Sequence, residues 1–311
     1  MPPAPPSRTP VGRFAPSPTG PLHFGSLLTA VGSYCLARQA GGRWLLRIED
    51  LDTPRVVPGA ADTILHTLDA LALHWDGEVL YQSRRTSRYA EALAILERKG
   101  LIYGCACSRK EILASAPHPG EEGPIYPGLC RAGLPPGRRP RAWRLQVPAR
   151  SVAVTDGVRG RQSQHLADEV GDFVVRRADG LFAYQLAVVV DDADSAVTQV
   201  VRGQDLLTST PRQIYLQKCL GFPHPKYIHL PLALAANGEK ISKRHGAVAI
   251  EPEKGGPLIA ATLRFLGQPL PAELERAPAA EVLCWGVAHF DLSLVPKRSR
   301  PLPESVQACP A

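Results

Sequence analysis

Two segments carry the residues that could bind and activate a nucleotide. The first is the run RFAPSPTGPLHFGS, residues 13–26, in which a strand ends in a Pro and Gly turn before a helix that begins near Gly25. A helix N-terminus offers free N–H groups and the positive end of a dipole, and both favour a phosphate. His23 could donate to phosphate oxygens, and Gly25 lets a ligand approach the backbone closely. The segment predicts a phosphate site, and the alternative is a proline-rich turn with a helix cap at Ser26.

The second segment is a group of cations in the run KISKR, namely Lys240, Lys243 and Arg244, which follows Asn237 and Gly238. A loop of this kind could close over a triphosphate and neutralise charge as pyrophosphate leaves. The alternative is an ordinary solvated basic loop.

Three of the seven cysteines, Cys105, Cys107 and Cys130, lie in a stretch rich in Pro and Gly. Residues 1–10 show no apolar segment of a secretory signal, which favours the cytoplasm and reduced thiols. Three thiols there predict a structural Zn²⁺ site, and by chemistry alone His118 is the natural fourth ligand. The alternative is three free, buried cysteines.

The elements that must position these groups alternate between strands and helices, which predicts an α/β fold with a parallel sheet. Strands are predicted at residues 11–16, 43–49, 172–177, 197–202 and 226–230, and helices at 25–39, 58–73, 86–99, 209–220 and within 250–295. We divide the chain into a disordered N-terminal segment (1–10), a Rossmann-like catalytic domain in two halves (11–102 and 171–235), an insertion between them (103–170) and a C-terminal region with a small helical part and a Pro-rich tail (236–311).

Composition excludes several classes of protein. With 44% hydrophobic and 21% charged residues, the chain is an ordinary folded protein rather than a disordered, collagen-like or coiled-coil one. Its longest apolar runs, such as residues 186–190, fall far short of the ~20 residues of a membrane span, so we expect no membrane partner. The formal net charge of +7 permits a polyanionic partner. A local basic patch in the insertion comprises Arg138, Arg139, Arg141 and Arg144.

Taken together, the two nucleotide segments resemble the HIGH-type and KMSKS-type motifs of class I aminoacyl-tRNA synthetases. The run RFAPSPTGPLHFGS, followed by RIEDLDTPR at residues 47–55, resembles the glutamyl branch, and the resemblance covers about residues 11–250. Two positions depart from the family pattern. Ser26 stands in place of the second His of HIGH, and Ile241 stands in place of the Met of KMSKS. The family's phosphate role for that second His therefore does not carry over to this chain.

The resemblance implies roles for the matching positions. His23 and Lys243 would be the catalytic residues, with Lys243 stabilising the pentavalent phosphate of an ATP that enters with Mg²⁺. Glu49 suits the α-ammonium group of an amino acid, and Arg13 suits a carboxylate. Which of Arg13 and Arg202 binds which carboxylate stays open. The implied ATP-binding residues are His23, Gly25, Lys240 and Lys243, and the implied glutamate-binding residues are Arg13, Phe14, Ala15, Pro16, Ser17, Glu49, Tyr184 and Arg202.

The length of the chain after the KMSKS-type loop distinguishes two members of the glutamyl branch. A full glutamyl-tRNA synthetase continues after its KMSKS-type loop with a long helical anticodon-binding region, whereas only residues 245–311 follow Arg244 here. The chain thus resembles the shorter glutamyl-Q tRNA(Asp) synthetase family, whose C-x-C…Y-x-x-x-C pattern implies Tyr126 as the fourth zinc ligand, with His118 as the fallback. The implied activity is the ATP-dependent transfer of L-glutamate to queuosine at the wobble position of tRNA(Asp).

We expect the protein to bind the anticodon stem-loop of the tRNA and to be a cytoplasmic monomer. Two other functions stay open. One is a minimal glutamyl-tRNA synthetase that charges the tRNA 3′ end, and the other is a non-catalytic tRNA-binding relative. The presence of His23, Glu49, Arg202 and Lys243 together argues against the non-catalytic alternative.

Overall fold

The computed structural model describes residues 9–115, 119, 120, 123–235, 238, 250–303 and 306. The described helices are α1 (Phe24–Gln39), α2 (Ala60–Ala70), α3 (Thr86–Arg98), α4 (Arg109–Ser115), α5 (Leu166–Glu169), α6 (Tyr184–Asp194), α7 (Thr210–Leu220), α8 (Gly255–Phe265) and α9 (Ala279–His289). The described strands are β1 (Val11–Phe14), β2 (Arg43–Ile48), β3 (Leu80–Tyr81), β4 (Ile102–Cys105), β5 (Pro119–Gly120), β6 (Gly123–Pro124), β7 (Ala142–Leu145), β8 (Ser151–Asp156), β9 (Gly160–His165), β10 (Phe173–Arg176), β11 (Gln199–Gly203), β12 (Lys226–Leu230), β13 (Ala233–Leu234) and β14 (Arg300–Pro301).

Parallel strand pairs form the frame of the molecule. β1 pairs with β2, and β2 with β3, all parallel. β11 pairs with β12 in the same sense, with Val200 opposite Tyr227. The two groups of strands meet where the Thr198 amide donates to the Val11 carbonyl at 2.9 Å. The predicted α/β fold with a parallel sheet is confirmed.

Helix α1 is held firmly in the core. It contacts β1 and β11 on one side and α8 and α9 on the other. Gly32 permits the close approach of α1 to β12, because a Cβ there would lie 2.6 Å from the Leu230 side chain. The buried Trp44 of β2 packs edge-on against Tyr34, and its indole N–H donates to Ser33 Oγ at 2.9 Å. These contacts hold the C-terminal half of α1 against β2.

A second sheet is antiparallel, with strand order β10-β7-β4. The predicted strand at 172–177 therefore exists as β10, but its partner lies at residues 142–145 of the predicted insertion. Conversely, β8 pairs with β12 at Asp156 and Tyr227 and forms a hairpin with β9. Hydrogen bonds thus cross the boundary that we drew between residues 103–170 and 171–235. Local strand patterns indicate that a strand exists, but they do not identify its partner.

Helix α6 was missed by the sequence analysis, which predicted no element at residues 184–194. Its apolar run is rich in β-branched residues and is buried on all sides, so it lacks the one-sided pattern of a surface helix. The run ends in Asp191 and Asp192, both of which are buried. Among the described helices, none combines the length and apolar character that a membrane crossing requires.

Candidate active site

A cleft of about 890 Å³ opens where β1, β2 and β11 end and α1 begins. Ligand sites in open α/β sheets lie at the carboxyl ends of the strands. This cleft is lined by every predicted glutamate-site or ATP-site residue that the structure describes, namely Arg13, Phe14, Ala15, Pro16, Ser17, His23, Gly25, Glu49, Tyr184 and Arg202. Lys240 and Lys243 lie outside the described residues.

His23 is the N-cap of α1. Its Nδ1 accepts from the Ser26 amide at 3.4 Å, and its carbonyl accepts from the Leu27 amide at 3.0 Å. The alternative in which Ser26 caps the helix is therefore wrong. Because Nδ1 accepts, the neutral ring carries its proton on Nε2, which makes Nε2 a donor. The first turn of α1 has no acidic residue, so its positive dipole end stays available to an anion.

Gly25 lies directly beneath the ring of His23. A Cβ at this position would lie 3.0 Å from His23 Cε1 and 3.1 Å from Nδ1. A larger residue would require the imidazole to shift by a few tenths of an ångström. The glycine therefore leaves room for the ring as well as for a ligand.

Asp192 is the buried carboxylate beneath the cleft. Its Oδ1 accepts from Arg13 Nε at 3.2 Å and from Arg47 Nη1 at 2.6 Å. Burial alone would raise the pKa of Asp192, but Arg13 and Arg47 lower it below its usual value. The sequence analysis did not identify Asp192 or Arg47. The available signal was a pair of Asp residues at the end of an apolar run, because buried carboxylates need partners.

Glu49 follows β2 and accepts from Arg47 Nη2 at 3.1 Å. Burial raises its pKa and outweighs the opposing attraction of Arg47 and Arg13. Burial, and then the charge of Glu49, also raise the pKa of Tyr184. The Glu49 carboxylate thus lines the cleft in a poorly solvated place, where a ligand ammonium group would be a strong partner.

The charges around the cleft favour an acidic zwitterion. The charged residues that line the cleft are Arg13, Arg55, Arg202, Glu49 and Asp205, and the buried pair Arg47 and Asp192 contacts Glu49 and Arg13. Together they bring four positive and three negative charges. This balance leaves one positive charge, which the net negative charge of glutamate would neutralise. The arrangement can bind one ammonium group and two carboxylates at the same time.

The cysteine cluster lies apart from the residues that line the cleft. The sulfurs of Cys105, Cys107 and Cys130 all lie within 4.8 Å of one another. Cys107 Sγ and Cys130 Sγ are 3.5 Å apart, too far for a disulfide at about 2 Å. Tyr126 Oη lies 3.4 Å from Cys105 Sγ and 3.6 Å from Cys107 Sγ. His118 lies outside the described residues.

This donor set fits a zinc ion. Tetrahedral Zn–S bonds place two thiolates about 3.8 Å apart, close to the distance between Cys107 and Cys130. Tyr126 Oη accepts from the Cys130 amide at 3.0 Å, which holds the phenol oxygen beside the sulfurs. The Arg144 guanidinium stacks on the Tyr126 ring at 3.8 Å and fixes the ring from the other side.

The basic patch of the insertion contains two kinds of arginine. Arg138 donates to Glu111 Oε1 and to the Ala106 carbonyl, both at 2.7 Å, so it braces the cysteine loop. Arg144 is buried and donates to the Asp172 carbonyl at 2.6 Å. Arg139 and Arg141 are exposed. The last two are therefore the members of the patch that offer charge to a partner.

Comparison with known proteins identifies the relatives of this chain. The family model for class I tRNA synthetases (E and Q), catalytic domain, matches residues 11–268. The glutamyl-Q tRNA(Asp) synthetase of Dechloromonas aromatica is 59% identical over 289 residues, covering 93% of this chain and 96% of that protein. The protein of the same name from Geobacter sulfurreducens is 56% identical over 298 residues, covering 94% and 95%.

A solved structure is similar over nearly the whole chain. The crystal structure of a glutamate tRNA ligase from Elizabethkingia meningosepticum, in complex with its amino acid, matches with a TM-score of 0.80 and 26% identity. The match covers 96% of this chain and 68% of that one. The class I synthetase fold expected from the sequence is confirmed.

Proposed function

Because the chain belongs to the class I tRNA synthetase family for glutamate and glutamine, we propose that it activates L-glutamate with ATP and transfers the glutamyl group to queuosine at the wobble position of tRNA(Asp). The chain is a ligase of this family. The observation that carries the proposal is the cleft, which combines a helix N-terminus that is open to an anion with Arg13, Arg202 and the half-buried Glu49. The relatives at 59% and 56% identity support the acceptor.

In the proposed first half-reaction, each of these groups has a role. The α-carboxylate of glutamate attacks the α-phosphorus of ATP in line, the bond to the β-phosphate oxygen breaks, and pyrophosphate leaves. Glu49 holds the α-ammonium group, while Arg13 and Arg202 hold the carboxylates. The N-terminus of α1 and the Nε2–H of His23 bind phosphate oxygens, and Lys243 stabilises the pentavalent phosphorus. Mg²⁺ bound to ATP would supply further neutralisation of phosphate charge. Catalysis in this scheme is mainly positioning and charge stabilisation.

The second half-reaction distinguishes two acceptors. The structural similarity to a glutamate tRNA ligase favours a second candidate, a synthetase that charges the tRNA 3′ end. Labelled glutamate transferred to tRNA(Asp) can be located by ribonuclease digestion, because the wobble base and the 3′ end fall in different oligonucleotides. Label on the wobble oligonucleotide supports our proposal, and label on the 3′ oligonucleotide supports the second candidate.

We propose that Cys105, Cys107, Cys130 and Tyr126 hold one structural Zn²⁺. The ion would cross-link β4 to the loop that contains Tyr126 and Cys130, in a region with few apolar residues of its own. Cys107→Ser is expected to lose the metal and to destabilise this region, because a hydroxyl is a far weaker ligand than a thiolate.

The measurement of zinc content has a matched control. Cys284 is exposed and lies outside the cluster, so Cys284→Ser should retain one zinc per chain. Colorimetric zinc release from protein produced with added zinc gives the stoichiometry. Equal zinc content in the wild type and in both variants would contradict the ligand assignment.

We also propose that the anticodon stem-loop contacts the exposed Arg139 and Arg141. Charge reversal of both to Glu is expected to raise the KM for tRNA about tenfold and to flatten its salt dependence, since two phosphate contacts are lost. Pyrophosphate exchange should be unchanged. Arg161→Glu, an exposed arginine on β9, is the control. Equal loss of transfer and exchange would contradict the assignment. The domain division, the monomeric state and the cytoplasmic location stay predictions.

A further inference from the structure

Arg202 commits three of its five N–H donors behind the cleft. Its Nε donates to His229 Nε2 at 3.0 Å, and its Nη2 donates to Thr210 Oγ1 at 2.8 Å and to the Leu206 carbonyl at 3.2 Å. Its Nη1 is buried and has no hydrogen-bond partner among the described residues. Because Arg202 lines the cleft, Nη1 is the nitrogen left for a ligand.

His229 can accept from Arg202 in only one protonation state. Nε2 accepts only when the ring is neutral and carries its proton on Nδ1. That Nδ1–H has a partner, because Asp156 Oδ2 lies 2.7 Å away. Burial, followed by the charge of Arg202, lowers the pKa of His229 against the opposing effect of Asp156, so the ring stays neutral.

Asp156 is itself held in one orientation. Its Oδ1 accepts from the backbone amides of Val158 at 3.0 Å, Arg159 at 2.8 Å and His229 at 3.3 Å. These three donors leave Oδ2 for the imidazole. Asp156 ends β8, and His229 lies in the neighbouring strand β12, so the pair is fixed by the sheet rather than by flexible loops.

We propose that His229 and Asp156 are positioning residues for Arg202. They select one tautomer, which holds the guanidinium so that Nη1 faces a carboxylate of the bound amino acid. This inference deepens the proposed function and rests on it, since the ligand of Nη1 is taken to be glutamate. Neither residue touches the substrate, and both act through the orientation of Arg202.

Asp156→Asn tests the tautomer directly. The three backbone amides require an acceptor at Oδ1, so the new NH₂ group must take the place of Oδ2. It would then donate to His229 Nδ1 and force the ring proton onto Nε2, where N–H would face N–H of Arg202. The change is nearly isosteric, and a comparable tautomer error in another enzyme's His–Asp pair costs several orders of magnitude in rate.

The expected result is a selective loss of amino-acid binding. In ATP–pyrophosphate exchange, the KM for glutamate should rise about tenfold or more, while the KM for ATP should stay within about twofold. The matched control is Asp168→Asn. His165 Nδ1 and Asp168 Oδ2 are also 2.7 Å apart, but neither residue lines the cleft. The control should leave both KM values unchanged.

Two further measurements separate positioning from folding. Imidazole ¹⁵N NMR should show the His229 proton on Nδ1 in the wild type and on Nε2 in Asp156→Asn, with the signal assigned by its absence in His229→Gln. A Gln oxygen can still accept from Arg202, so adding Asp156→Asn to His229→Gln should raise the KM for glutamate no further. Thr210→Val leaves Asp156 intact but removes one acceptor of Nη2 and the hydroxyl that lies 3.2 Å from His229 Nε2, so it should raise the same KM by a smaller factor.

The outcomes distinguish this inference from the proposed function. A wild type without glutamate-dependent exchange would contradict the proposed function, whereas the tautomer could still be measured by NMR. A wild-type KM for glutamate in folded Asp156→Asn, or a proton that remains on Nδ1, would overturn the positioning role. If Asp156→Asn does not fold, a wild-type His229 ring that carries its proton on Nε2 would overturn it.

Discussion

Glu49→Gln is expected to raise the KM for glutamate in pyrophosphate exchange by about a hundredfold or more. The substitution removes the carboxylate that would pair with the α-ammonium group, in a site where Arg47 and Arg13 remain close by. Truncating one partner of a buried charge pair costs about 2–5 kcal/mol, because the other charge is left unpaired. The KM for ATP should change little.

The pH dependence gives a second measure of the same role. Burial raises the pKa of Glu49, so protonation begins at a higher pH than for an exposed glutamate. The KM for glutamate in the wild type should therefore rise as the pH falls toward that pKa, and Glu49→Gln should lack this rise. Glu91→Gln, at an exposed position paired with Arg88, serves as the control. Equal KM values for Glu49→Gln and Glu91→Gln would contradict the assignment.

Asp192→Asn is expected to destabilise the whole fold by about 3–5 kcal/mol, because it removes the negative charge that Arg13 and Arg47 share in the interior. Asp194→Asn is the matched control on the same helix. Asp194 pairs with Arg85 and Arg88, and its side chain is 27% exposed. An ion pair with this much exposure contributes about 1 kcal/mol or less to stability. Urea unfolding gives both free energies.

The sign of the pH effect follows from the direction of the pKa shift. The pKa of Asp192 is lowered in the folded state, so its stabilisation is present above the ordinary Asp pKa of about 3.9 and is lost as the pH falls through the folded value. The free-energy difference between the wild type and Asp192→Asn should be constant near neutral pH and shrink in acid. Indistinguishable unfolding of Asp192→Asn and Asp194→Asn would show that Asp192 does not anchor the two arginines.

The sequence predicted the parts of the site that lie within continuous motifs. The Pro and Gly turn, the helix behind it and the strand that contains Arg47 and ends just before Glu49 have local signals, and the structure brings these segments to one cleft. The roles given to the residues there stay predictions. The cysteine spacing likewise predicted a cluster, and three sulfurs and one phenol oxygen do converge.

The supporting groups could not be predicted in the same way, because they depend on contacts between distant segments. Asp192 reaches Arg13 from a helix whose apolar residues show no one-sided pattern. His229 lies in a strand that was predicted, but nothing in the run KYIHL indicates that its imidazole meets Asp156, 73 residues away. Strand partners are set by the whole fold, so the pairing of β10 with β7 was also beyond local reasoning.

The most direct test of the proposed activity is glutamate transfer to tRNA(Asp) with and without queuosine. The purified protein, ATP, Mg²⁺ and labelled glutamate would be incubated with tRNA(Asp) from cells that make queuosine and with the same tRNA from cells that cannot. We expect label on the modified tRNA alone, at the oligonucleotide that contains the wobble base. Equal labelling of both tRNAs, or labelling at the 3′ end, would contradict the proposal.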